Sequence, residues 1–251
     1  MSESEIKKEP RSEFRLDLVR RLFAVAISLG VGTAIVRADW VAHGRIPQGQ
    51  EIEQIAIVLL ALFATVLSWD GYLMSVTKKP LNDWPRFTID VFLVFTYMFL
   101  LVTSNTSSFW LPIVCVMYTL YVLWDALSIW QFPTLFDDSA ETKSRSRIAT
   151  VGRVYLLAIA DKTGIDRGPL SSLTWTIYFF ALLVVTWRFP TFNVFAALGA
   201  AALGMIFYRW DKSKRRDGAR GFTVVERGGA IIVLLLTVVA FGCLSGAIHR
   251  P

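Results

Sequence analysis

The chain has 251 residues, 54% of them hydrophobic and only 18% charged, with a mean hydropathy of +0.50. A soluble domain of this size would need far more polar surface, so the composition excludes an ordinary soluble fold and makes lipid the main solvent. The formal net charge of +6 raises the question of nucleic acid. The placement of the basic residues answers it below.

Residues 1–21 form a polar, charged arm with no short apolar core and no small-residue cleavage site, so no cleaved signal peptide is expected. Seven apolar spans follow, over 22–36, 54–69, 91–103, 109–124, 170–187, 189–208 and 228–248. The first four are short for a hydrocarbon core of about 30 Å unless Arg20, Arg21, Arg37, Asp70 and Asp90 sit at the interface. The first span is the weakest, and an interfacial placement would leave six. The expected fold is an all-α polytopic membrane protein. It divides into an N-terminal arm (1–21), helices one to four (22–130), a polar loop (131–169) and helices five to seven (170–248).

Positive charge orients the spans. With the N-terminus cytoplasmic, the inside segments carry six, three, six and seven Lys or Arg, which is 22 of the chain's 26. Only Arg37, Arg45, Arg188 and Arg250 fall outside. The positive-inside rule then predicts a multi-pass protein of the cell membrane, inner membrane in a bacterium, with the N-terminus inside and the C-terminus outside. The basic residues face anionic lipid, and no nucleic-acid surface with interleaved aromatics is visible.

The second, fourth and sixth spans each end on the same dipeptide: Trp69-Asp70, Trp124-Asp125 and Trp210-Asp211. All three lie on the cytoplasmic side in this topology. A carboxylate at a helix C-terminus faces the negative dipole end, which disfavours it. The odd spans carry a partner pattern, with Phe14 to Leu18 resembling Phe87 to Val91. Three weakly repeated hairpins plus a terminal helix are therefore expected. The bland account of the dipeptides is an interfacial aromatic belt with Asp at the water boundary. The sharper account pairs Asp70, Asp125 and Asp211, with Asp90, against Arg15, Arg20, Arg86, Arg153 or Arg209, as a polar seam or pore mouth.

In the 131–169 loop, Val151, Tyr155, Ala158 and Ile159 recur at helical spacing with Arg153 opposite. This predicts a basic amphipathic helix on the membrane surface or a docking helix for a soluble cytoplasmic partner. Asp161-Lys162-Thr163-Gly164 resembles the phosphorylation motif of P-type ATPases, but their large soluble domains have no counterpart in this chain. Ala196, Ala200 and Gly204 on helix six, and Gly242 and Gly246 on helix seven, are small-residue faces suited to close helix packing. Asn105-Thr106-Ser107 is a glycosylation acceptor too close to the membrane to expect modification.

No chemistry is legible. Cys115 and Cys243 lie in apolar runs, and His43 and His249 stand apart. No metal site, haem or other cofactor is expected. Metalloprotease and serine-hydrolase motifs are missing, and the acids Asp70, Asp83 and Asp90 do not fit the spacing of aspartate-rich lipid transferases. The leading expectation is a non-enzymatic, oligomeric membrane protein that is channel-like or controls permeability. The alternative is an anchor or sensor subunit that recruits a soluble partner.

Overall fold

The computed structural model describes residues 10–78, 83–105, 109–132, 146–160, 168–188, 193–214 and 222–248. Among them there are no strands. The helices are α1 (Pro10–Val36), α2 (Asp39–Ala42), α3 (Gln50–Lys78), α4 (Trp84–Val102), α5 (Trp110–Gln131), α6 (Arg147–Ala160), α7 (Gly168–Arg188), α8 (Val194–Lys214) and α9 (Val224–Ile248). Six of them, α1, α3, α4, α5, α7 and α8, are long and apolar enough to cross a membrane. The protein is thus a polytopic all-α membrane protein, and the first span is among the six. The terminal helix α9 is 25 residues long. Its side chains from 241 on, including the environments of Gly242 and Gly246, lie outside the described residues, as do the tail of the 131–169 loop and the Asp161 to Gly164 motif.

Three helices run on past their Trp-Asp pairs instead of ending there. The α3 helix continues to Lys78, α5 to Gln131 and α8 to Lys214. Each acid therefore sits within its helix, up to two turns before the C-terminus, and the dipole penalty expected at a helix end falls mainly on later residues. The start of α4 follows ordinary capping chemistry. Asp83 has an extended backbone and its carboxylate accepts from the Arg86 amide at 3.2 Å, with Pro85 in the first turn.

Helices α3, α4, α5, α7 and α8 close into a ring, each packed on the next and α8 returning to α3. Against this ring, α1 lies chiefly along α4, α9 lies on α8 and α7, and α6 lies across α5 and α7. Missing side chains set two of these approaches. A Cβ on Gly30 of α1 would come within 2.9 Å of the Leu101 side chain, and one on Gly204 of α8 would come within 2.4 Å of the Tyr178 ring. Ala200 is buried beside Gly204, and Ala196 is half-buried one turn away, so the small face of α8 packs within the chain against α7.

The buried core divides by depth. Away from the Trp-Asp end it is apolar, with Ile57, Ala61, Leu100, Leu111, Val114, Leu182 and Leu198 in one cluster and Leu101 facing Gly30 of α1. Nearer that end it is aromatic and hydroxylated, with Tyr97, Tyr118, Tyr121 and Tyr208 from three helices in mutual contact.

Candidate functional site: the Trp-Asp end of the bundle

Four acids placed far apart in sequence meet partners at one end of the ring, and α8 supplies the cations for two of them. Arg209 of α8 donates to the Asp70 carboxylate on α3. Room for the crossing guanidinium comes from Gly71, where a Cβ would meet Arg209 Nη1 at 2.5 Å. Lys212, one turn further along α8, donates from Nζ to Asp125 Oδ2 on α5 at 2.9 Å. Between them, Asp211 turns outward to α9, where Arg227 donates from Nε at 2.8 Å and from Nη2 at 3.2 Å. The tetrapeptide Arg209-Trp210-Asp211-Lys212 therefore ties the third Trp-Asp end to the other two and to α9.

Helix α7 completes the layer with two adjacent serines. Ser171 Oγ donates to Asp211 Oδ2 at 2.5 Å, and Ser172 Oγ donates to Asp125. The backbone N–H of Phe222 gives Asp211 a further donor at 3.1 Å. Asp211, Arg227, Ser171, Ser172 and Asp125 are all buried. A carboxylate so placed is tolerated because its lone pairs are met by a guanidinium, a hydroxyl and an amide. The Asp70–Arg209 pair is different in kind: Asp70 is more than half exposed.

Asp90 belongs to a second cluster, on α4. It is 2% exposed and accepts from the Tyr72 hydroxyl of α3 at 3.3 Å. Arg86 lies one turn earlier, fully buried, with Nη1 donating to Gln131 Oε1 at 2.7 Å and Asp83 Oδ1 4.0 Å away. Its guanidinium covers the Trp124 ring at 4.8 Å and the Phe132 ring at 5.5 Å. Arg86 thus clamps the two ends of the α4–α5 hairpin through a cation–π stack and a hydrogen bond.

The hydroxyl cluster sits deeper on the bundle axis. Tyr121 on α5 shares one hydrogen bond with Tyr97 of α4 at 2.9 Å and another with Ser68 of α3. The Tyr208 ring of α8 stacks on Tyr121 with centroids 5.9 Å apart, and the Lys212 ammonium lies 5.1 Å over the Tyr208 ring. Polar groups thus continue from the charged layer through Lys212 and Tyr208 to Tyr121, Tyr97 and Ser68.

No family model matches the chain, and no curated protein or solved structure matches it either.

The remaining sequence candidates fall elsewhere. Arg15 lies over the Trp84 and Phe87 rings, 5.3 Å and 6.0 Å from their centroids. Among the described residues Arg20 forms no ion pair, whereas its neighbour Arg21 pairs with Asp17 at 2.8 Å. Arg153 is half-buried on α6. Sequence reasoning named Arg209 as an ion-pair candidate, read Lys212 only as the start of a basic run, and missed Arg227, Ser171 and Ser172. The available signal was the adjacency of Lys212 and Arg209 to Asp211, which puts two cations within one turn of an acid already singled out. Among the described residues there is no group of three or more His, Cys, Asp or Glu that could hold a metal ion.

Proposed function

We propose that this protein controls ion permeability, without enzymatic activity, and that its five-helix ring is in a closed state. The observation that carries this reading is the convergence of Ser68, Tyr97, Tyr121 and Tyr208, from four different helices, on the axis of a bundle whose solvent is lipid. Hydroxyls between spanning helices also serve as interhelical glue; we read four of them, converging from four helices and continuous with the charged layer, as the lining of a path. The apolar half of the bundle then blocks passage in the manner of a dry gate that opens by wetting.

On this reading the α8 tetrapeptide is a lock. The acids at the Trp-Asp end are neutralised by Arg209, Lys212 and Arg227, so in the closed state they form no acidic ring. Releasing Lys212 from Asp125 would expose a carboxylate at the mouth of the hydroxyl cluster, which would favour cations. The path lies within one protomer, so an oligomer is compatible with it but not required. The positive-inside pattern puts the lock on the cytoplasmic side.

The test is ion flux in liposomes containing the purified full chain, with K⁺, Na⁺ and H⁺ gradients imposed in turn. Wild-type flux is expected to be low, and Lys212→Met to raise it. The reading fails if wild type and Lys212→Met both match empty vesicles under every gradient and potential applied.

A further inference from the structure

Helix α6 has two apolar faces, and the bundle uses only one. Thr150 and Val154 are buried, on the side packed against α5 and α7. On the opposite side, Ile148, Gly152, Leu156 and Ile159 follow one another at helical spacing and form an outward stripe. Ile148 is 72% exposed, Leu156 68% and Ile159 54%. The sequence pattern groups Ile159 with Val151, Tyr155 and Ala158 as the apolar side of a helix on the membrane surface. In the structure Ile159 and Leu156 point away from the protein, whereas Val151 and Tyr155 are half-buried. A 14-residue helix has little reason to present three large aliphatic side chains to water.

The charge of this sequence segment limits what can cover the stripe. Between Thr142 and Ala160 there are four basic residues, Lys143, Arg145, Arg147 and Arg153, and no acid. Arg147 is exposed at the start of the helix. The helix lies against two membrane-spanning helices, which keeps it beside the bilayer. Apolar side chains projecting from a basic helix at this level match the headgroup–acyl boundary of a negatively charged leaflet.

We propose that the Ile148–Leu156–Ile159 face of α6 is a binding surface for anionic phospholipid, inserted into the leaflet at the Trp-Asp end. The inner side of the same helix places lipid composition next to the ion-pair layer. Tyr155 is half-buried on α6, and burial together with the nearby Asp125 carboxylate pushes its phenol well above the ordinary tyrosine range. Helix α6 packs on α5, which carries Asp125, so a shift of α6 on binding lipid would bear on the residue that holds Lys212. This surface does not depend on the permeability reading, since its occupant is tested without any flux.

The experiment uses the full chain carrying an environment-sensitive fluorophore at Leu156→Cys, with Cys115→Ala and Cys243→Ala removing the native thiols. It is reconstituted in phosphatidylcholine vesicles with and without phosphatidylserine. The expected result is a blue shift and loss of quenching by neutral acrylamide in the anionic vesicles, reversed by high salt. Arg147→Gln should lower the anionic preference about fivefold, the effect of one basic residue near such a surface. A second label at Ile148→Cys, on the same stripe, should report the same change if the first variant folds poorly. A label equally open to acrylamide in both vesicle types overturns the proposal and leaves the stripe for a soluble protein. A label equally shielded in both also overturns it, because the negative headgroup then plays no part.

Discussion

Replacing Asp211 with asparagine removes one charge from the most enclosed ion pair and changes little else in volume. Asp211 is fully buried and Arg227 is 2% exposed, so the guanidinium left behind cannot reach water without displacing α9. Breaking a buried pair by neutralising one partner costs roughly 3–5 kcal/mol, because the other charge stays buried and uncompensated. The amide can still accept from Ser171 or Phe222 but brings an N–H₂ against donors, which places Asp211→Asn toward the upper part of that range. The same change at Asp70 should cost no more than about 1 kcal/mol, since Asp70 is largely exposed and its pair is screened. The double variant Asp211→Asn, Arg227→Met removes both charges and should recover most of the loss. Equilibrium unfolding of the full chain in mixed micelles, read by tryptophan fluorescence, measures all three. Equal destabilisation by Asp211→Asn and Asp70→Asn would refute the reasoning, as would a double variant no better than the single one.

Further changes test other contacts. Tyr121→Phe deletes the hydrogen bonds to Tyr97 and Ser68 and should cost roughly 1–3 kcal/mol by leaving buried hydroxyls unpaired, measured by the same unfolding assay. Tyr178→Phe removes only the bond to the Ala200 carbonyl and should cost about 1 kcal/mol without changing flux. Gly204→Val would drive a branched side chain into the Tyr178 and Phe179 rings and should destabilise by about 1–3 kcal/mol or more, whereas Gly152→Ala, with open space around it, should be tolerated. At the opposite end of the bundle, Asp39 is held below its ordinary value of 3.8 by its hydrogen bond from Arg45 and then by the His43 charge. A lowered carboxylate contributes fully above its ordinary pKa and loses its contribution as pH falls through the lowered one. Its NMR titration midpoint should therefore lie below 3.8 and rise toward that value in Arg45→Gln.

The spans were legible because an apolar run in a hydrophobic chain has one economical fate, and the Trp-Asp pairs were visible because they repeat. What the acids touch was not legible. Asp125 pairs with a lysine 87 positions away, and Asp211 with an arginine on the following helix, because the ring places α8 between α3 and α7. Helix adjacency decides those partners, and hydropathy carries no record of it. Two helix ends were misplaced for a related reason. Asp70 and Asp211 looked like boundaries with water, but paired with cations they sit within their helices, as the apolar run after Asp125 had already suggested for α5. On α6 the helical periodicity was legible but not which residues face the protein, since two apolar arcs on one helix leave that open.

The account depends most on the three Trp-Asp ends meeting in one layer held by α8. Spin labels at Asp70 and Trp210, both surface positions, would measure that directly in reconstituted full chain by pulsed electron–electron distance spectroscopy. Contact between Asp70 and Arg209 predicts a single short separation, well under the thickness of the hydrocarbon core. A separation of about 30 Å or more, the span of that core, would place the two ends on opposite faces of the membrane and contradict it.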